Sequence, residues 1–222
     1  MSNTKDAGRS KTTAAELMAL KAQRLRTDPA YRAQTEAVDA ERQARVEELR
    51  RAEQSIVEDL RNGGVDVNSV WNLVNTADPY PAALPILLDH LQRGGYPDRV
   101  MESLGRALAV GPSASVWETL RQLYLAAEGR GQEEGLAVAL AASATADHLD
   151  GLIALLDETS RGSTRIHFLR AIKRVGGKRG LDVLTTLQDD PAFGKEARAL
   201  LKQRGRRAHP EAFASRDAPH PS

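Results

Sequence analysis

The sequence predicts an all-α fold, an α-solenoid of about four helical hairpins preceded by an N-terminal helical extension. Three observations predict it. Aromatic residues make up only 4% of the 222-residue chain and hydrophobic residues 41%, so the core rests on Leu, Val, Ile and Ala, a composition that suits helices. Apolar residues recur at i, i+3, i+4 and i+7, the period of one helix face. From residue 84 onward that pattern returns at intervals of 32, 33 and 31 residues, and a fixed interval of this size marks a repeated structural unit.

Residues 1 to 12 are small, polar and charged without an apolar period, and are expected to be a disordered tail. "TTAAELMALKAQRLR" then reads as a helix, with Thr12 or Thr13 as cap, Glu16 in the first turn, and Leu17, Leu20 or Lys21, and Leu25 at helical spacing. "TDP" at 27 to 29 breaks and restarts the chain, because Pro is accepted in a first turn behind an Asp cap. Residues 30 to 61 contain no Pro or Gly and stop at "NGG", so one long helix is expected there. Its apolar residues Val38, Val46, Leu49, Ile56, Val57 and Leu60 thicken toward the C-terminal half. That half is therefore expected to dock on a body while the first half stays exposed.

Past "NGGVDVNSVWNLVNTADPYP" the sequence changes to pairs of short helices. The first helices align as Leu84, Leu87, Leu88, Leu91; Val116, Thr119, Leu120, Leu123; Leu149, Leu152, Ile153, Leu156; and Gly180, Val183, Leu184, Leu187. Each is followed by turn residues and a second helix. Two of these second helices match at a constant offset of 65, with Met101, Leu104, Val110 and Gly111 answering to Ile166, Leu169, Val175 and Gly176. A single hairpin of this kind cannot bury its own apolar face, so the pairs must stack. The segments "ALPILLDHL…RVMESLGRALAVG" and "HLDGLIALLDE…RIHFLRAIKRVGG" resemble HEAT repeats, and the chain over residues 66 to 205 is similar to bacterial HEAT-repeat proteins. That resemblance implies first helices on a convex face and second helices lining a concave groove. The interval departs from the family's, which is nearer forty residues. The domain boundaries read from this are an extension over 13–64, a repeat domain over 65–205, and a disordered tail over 206–222, whose last stretch holds three prolines.

Net charge is +1, with 31 basic and 30 acidic residues, and the basic residues gather only locally. A binder of nucleic acid by phosphate neutralisation alone carries a large basic excess. The densest patch is "RIHFLRAIKRVGGKRG", residues 165–180, which has six basic residues and no acid. On a helix, Phe168, Leu169, Ala171, Ile172 and Val175 share the apolar side, while His167, Arg170, Lys173 and Arg174 fall within an arc of roughly 120° opposite, and Lys178 and Arg179 extend it. The bland reading is a solvated face with cations near a helix C-terminus; the functional one is an anion-attracting stripe. Because the stripe faces away from the core, reversing Arg170, Lys173 and Arg174 is expected to leave the fold intact. On the corresponding helix of the first pair, Arg99, Glu102 and Arg106 stand at i, i+3 and i+7, either a surface ion ladder or part of the same groove.

The remaining candidates for chemistry are weaker. His90, His148 and His167 lie on different helices and His209 and His220 in the tail; none has the i+3 or i+4 partner of a helical metal site, so neither metal nor cofactor is expected. Asp89 and His90 are sequence neighbours and point about 100° apart on a helix. "RVGGKRG" lacks a preceding strand and reads as a helix end rather than a phosphate loop. Trp71, Tyr80, Tyr96, Trp117 and Tyr124 are expected in the core, with Trp71 closing its first end. There is no cysteine, no apolar run of membrane length and no signal-peptide pattern, so a cytoplasmic location without membrane contact is expected.

The function expected is a non-enzymatic scaffold holding a protein partner in the groove, with Arg99, Glu102, Arg106, His167, Arg170, Lys173, Arg174 and Lys178 as contact residues. The first alternative is a nucleic-acid binder that uses residues 165–179. The second is an enzyme, since the architecture that the resemblance implies also hosts phycobilin lyases and alkylpurine DNA glycosylases.

Overall fold

The computed structural model describes residues 13–202. Among them every regular element is helical and there is no strand, so the fold class is all-α. The readings of residues 1–12 and 206–222 as tails lie outside the described residues. The chain divides into two compact units after Arg51.

The first unit contains α1 (Ala14–Thr27) and most of α2 (Pro29–Ala52). A capping box starts α1: the Thr13 hydroxyl accepts from the Glu16 amide, and the Glu16 carboxylate accepts from the Thr13 amide, satisfying two amides that the first turn leaves open. Asp28 ends α1 and caps α2 through its carboxylate, which accepts the Tyr31 amide at 2.9 Å. Arg32 reaches back to the carbonyls of Leu25 and Arg26. No side chain of α1 or α2 is buried.

The long helix expected over 30–61 is broken. It stops at Ala52, and α3 (Gln54–Asn62) begins after Glu53, whose φ of −90° and ψ of 1° leave the helical well. Glu53 is itself buried, because its carboxylate accepts from Ser69 Oγ at 3.1 Å and from the Val70 amide at 3.2 Å. A carboxylate drawn in to cap the next short helix cannot also lie on a solvated helix face, and the backbone yields. The docking expected of the long helix's C-terminal half is confined to α3, where Ile56, Val57 and Leu60 are buried, while Val38 and Val46 are exposed. The body therefore begins at Ala52 rather than at residue 65.

Within the body, α4 (Trp71–Val74) precedes four helix pairs: α5 (Ala83–Arg93) with α6 (Asp98–Ala107), α7 (Trp117–Ala126) with α8 (Arg130–Ser143), α9 (Leu149–Leu156) with α10 (Ile166–Val175), and α11 (Gly177–Thr186) with α12 (Gly194–Lys202). The members of each pair touch, and the second helices also form a row in which α6 packs on α8, α8 on α10 and α10 on α12. Leu104, Leu120, Tyr124, Leu136, Leu140, Leu152, Phe168, Leu169, Ile172 and Leu184 are fully buried in this body. Each such side chain contributes about 1.5 to 3 kcal/mol relative to exposure.

The register of the repeats differs from the sequence alignment. The buried set Val100, Met101, Ser103, Leu104 on α6 matches Phe168, Leu169, Ala171, Ile172 on α10, an offset of 68 rather than 65. The smaller offset places exposed Ile166 against buried Met101. A slip of three residues nearly preserves the helical phase, so the two alignments share one amphipathic pattern. Among the first helices, α5 buries Leu87 and Leu91, whereas α7 buries Trp117, Leu120 and Tyr124, so its apolar face is turned by one residue from the aligned positions.

Helices α6 and α8 approach each other closely. A Cβ on Gly105 would stand 2.6 Å from the Gly135 carbonyl carbon, and one on Gly135 would stand 2.5 Å from the Glu102 carbonyl oxygen. Only glycine lets these backbones meet. Asp98, at the head of α6, accepts the amides of Gly131 and Gln132 at 2.7 and 2.9 Å, so one carboxylate caps the N-terminus of α8. No helix among the described residues is long and apolar enough to cross a membrane.

Candidate functional site

Five of the eight residues singled out from the sequence lie along one connected or nearly connected line of charges crossing the second helices. On α6, Arg99 Nη1 donates to Glu102 Oε2 at 2.6 Å and Arg106 Nε to Glu102 Oε1 at 2.8 Å. Glu134 on α8 then joins two helices: its Oε1 accepts from Arg106 Nη2 at 3.5 Å and pairs with His167 Nε2 of α10 at 2.7 Å. One turn further along α10, Arg170 Nε reaches Glu196 Oε1 of α12 at 3.3 Å. At the opening end, the Arg99 guanidinium lies over the Trp71 ring, 4.4 Å from its centroid. Trp71 is thus half-buried on this ridge rather than closing the core, while Trp117 and Tyr124 are buried as expected.

The line arises from the register. With the offset of 68, Arg99 and His167 are equivalent positions on α6 and α10, and Glu134 follows Arg99 by 35 residues in front of the equivalent buried pair Gly135 and Leu136. Burial is uneven between the signs. The Glu102 and Glu134 side chains are 13% and 28% exposed, whereas Arg99 and Arg170 are 55% and 75% exposed. Arg99 and Arg170 stand out beyond the recessed carboxylates, while Arg106, at 28%, lies level with Glu134, so the outermost charge is positive.

Lys173, Arg174 and Lys178 do not join the ridge. Arg174 donates to the carbonyls of Ala141, Ala142 and Ala144 at 2.7, 3.2 and 3.1 Å, and thereby caps the C-terminal end of α8. Lys173 Nζ donates to the Leu200 carbonyl near the end of α12. Lys178 is exposed on α11. Arg165, the first cation of the basic run, is buried, donates to the carbonyls of Leu156 and Gly162, and sits 5.0 Å from the Phe193 ring centroid. Cations at the negative ends of helices are stabilising, and here they are delivered from neighbouring elements. Arg170, Lys173 and Arg174 do face away from the core, but two of the three hold helix ends, so reversing them also removes those hydrogen bonds.

Sequence reasoning missed Glu134 and Glu196. Glu134 lies in an Ala-rich helix whose neighbours gave no sign of a site, and only the crossing of three helices gives it two partners. It also missed Arg161, which caps α7 by donating to the carbonyls of Leu125 and Ala127. Beside it, the Tyr124 hydroxyl pairs with Thr164 Oγ1 at 2.9 Å, and Thr164 donates in turn to Glu133. Burial pushes the Tyr124 phenol up to about 12.

Asp89 pairs with Arg93 at the next turn of α5, the guanidinium holding its carboxyl below the usual range. His90 points elsewhere, fully buried, between Asp59 Oδ2 of α3 at 2.9 Å and Tyr96 Oη at 2.6 Å. Two clefts of about 430 and 280 Å³ flank the loop at 76–82. Their ionisable lining is Asp66, Asp78 and Tyr80, and the Tyr80 hydroxyl is engaged by the Ala107 carbonyl at 2.9 Å. Among the described residues no three His, Asp or Glu side chains converge as metal ligands would. Comparison with protein-family models, curated proteins and solved structures finds no match for this chain.

Proposed function

We propose that the body is a HEAT-like α-solenoid serving as a non-enzymatic protein-binding scaffold, and that it receives an acidic segment of a protein partner along the ridge from Trp71 to Arg170. The observation that carries this reading is the ridge itself, where successive second helices contribute Arg99, Arg106, Glu134, His167, Arg170 and Glu196 to one line. Exposed guanidinium groups over recessed carboxylates attract an extended acidic chain and offer bidentate contacts to its side chains. The carboxylates between them set spacing and penalise a uniformly anionic ligand. This favours a protein over a nucleic-acid backbone, as does the engagement of Arg165, Lys173 and Arg174 with main-chain carbonyls. An enzymatic reading would need converging acids or bases in a cleft, and the clefts beside residues 76–82 are lined mainly by Pro, Ala, Thr and aliphatic side chains.

The test compares the wild-type chain with R99E/R170E, two exposed positions whose reversal leaves the helical caps in place. Capture from lysate with and without nuclease, followed by titration of the captured partner's acidic segment as a synthetic peptide, reads both class and site. A partner retained after nuclease and lost with the reversal supports the scaffold. Nucleic acid as the retained species, with binding that falls steeply with salt, overturns it.

A further inference from the structure

We infer that α2 is a self-association element that pairs antiparallel with α2 of a second copy of this chain. The inference is independent of the ridge. Helix α2 runs for 24 residues without one buried side chain, a length of about 36 Å, and a lone helix in water gains little stability without a packed face. One side is less polar than the rest. At 100° per residue Tyr31, Val38, Val46 and Leu49 fall within an arc of about 80°, with Thr35 and Arg42 inside it. Val38 and Val46 are 49% and 58% exposed, so this side is open.

Charge identifies the occupant. Residues 29–41 carry Arg32 against Glu36, Asp39 and Glu41, while residues 42–52 carry Arg42, Arg45, Arg50 and Arg51 against Glu47 and Glu48. One half is net acidic and the other net basic by the same amount, so the helix is complementary to itself only when reversed. A two-fold axis beside residue 40 sets Tyr31 opposite Leu49 of the second copy, Thr35 opposite its Arg45, and Val38 opposite its Arg42. That register keeps the spacing of alternating three and four residues that two paired helices require, with Arg42 and Arg45 in the seam and Val46 beside it. It also brings Arg42 and Arg45 of each copy beside Glu36, Asp39 and Glu41 of the other. Such an isologous contact closes on itself and does not propagate. The local pairs Arg42 with Asp39 and Arg45 with Glu41, at 2.9 and 3.6 Å, are highly exposed; pairs of this kind contribute little and can exchange for intermolecular ones.

Acids early and bases late would also suit the dipole of a solitary helix, and a charge swap separates the two explanations. Sedimentation of the full chain over a concentration series is measured for four proteins: wild type, E36K/D39K/E41K, R42E/R45E, and the chain carrying both sets. Wild type is expected to dimerise. Each half-reversed chain should lose at least about tenfold in dimer affinity, an equimolar mixture of the two should form mixed dimers, and the fully swapped chain should dimerise again although its charges now oppose the helix dipole. The unfolding transition of the body serves as the folding control. Wild type remaining monomeric throughout, half-reversed chains dimerising like wild type, or a fully swapped chain that stays monomeric would each overturn the inference.

Discussion

Replacing Gly135 by Ala adds one methyl group at the point where α6 and α8 meet backbone to backbone. The new carbon would lie 2.5 Å from the Glu102 carbonyl oxygen and 3.1 Å from its Cα. A carbon and a carbonyl oxygen rest at roughly 3.3 Å or more, so the helices must part by about 0.8 Å. Neither clashing atom belongs to a side chain that can rotate away. A gap of that size forfeits a quarter to a half of the dispersion energy of each contact along the crossing, and overpacking of this kind costs about 1 to 3 kcal/mol. Against it stands the helix propensity of Ala over Gly, about 1 kcal/mol. The expected result is a net loss of about 1 to 2 kcal/mol at the upper part of that range, a fall in Tm of roughly 2 to 8 °C for a body of this size. Urea and thermal denaturation followed by far-UV circular dichroism read it directly. G105A strains the same crossing, so the double variant should lose less than the sum of the two. If G135A is as stable as the wild type or more so, the two backbones are not in contact and the row of second helices is packed differently.

Arg174→Ala removes three hydrogen bonds to the end of α8 and should cost about 1 to 2 kcal/mol, since charged donors at a helix terminus exceed neutral ones; urea midpoints check this, and an unchanged midpoint returns the residue to the solvated face that the sequence suggested. Leu169→Ala, at a fully enclosed position, should cost about 2 to 5 kcal/mol by the same measurement, with a smaller effect showing that α10 is rotated. The Tyr124 phenol is held neutral, its pKa raised by burial from 10 to about 12. Its contribution is therefore complete below pH 10, where the unfolded phenol is also protonated, and is lost as pH rises from 10 through about 12. Stability against pH should fall more steeply in that window for the wild type than for Tyr124→Phe, and parallel curves would refute the assignment.

Helix class and the grouping into pairs were legible because both depend on a period, and periods survive in sequence. Leu87, Leu120, Leu152 and Leu184 all stand on the periodic apolar face and are all fully buried. What did not survive was phase across repeats: a slip of three residues leaves an amphipathic pattern nearly unchanged, so Ile166 looked equivalent to Met101. The break at Glu53 was illegible for another reason. Its cause is a pair of donors at Ser69 and Val70, distant in sequence, and nothing local distinguishes Glu53 from Glu47 or Glu48. The candidate site shows the same division. Helix geometry placed Arg99, Glu102 and Arg106 on one face and His167 and Arg170 on another, but joining the two needed Glu134, which touches both only through the crossing of α8. In the basic run the difference comes from side-chain length. Lys173 and Arg174 lie on the polar arc at Cα, yet their long stems carry the charge to carbonyls of other helices.

The third pair is a keystone. Arg161 in the segment leading into α10 closes the end of α7, Arg174 closes α8, Arg165 closes α9, and Lys173 reaches α12. Deleting residues 149–175 would not merely shorten the body by one unit, because it would strip donors from termini on both sides of the excision. The same holds for duplication or shuffling, in which an inserted unit would arrive without the long cations that its new neighbours need. In a protein wired in this way the core sets most of the stability, but a few long cations tie each hairpin to its own neighbours.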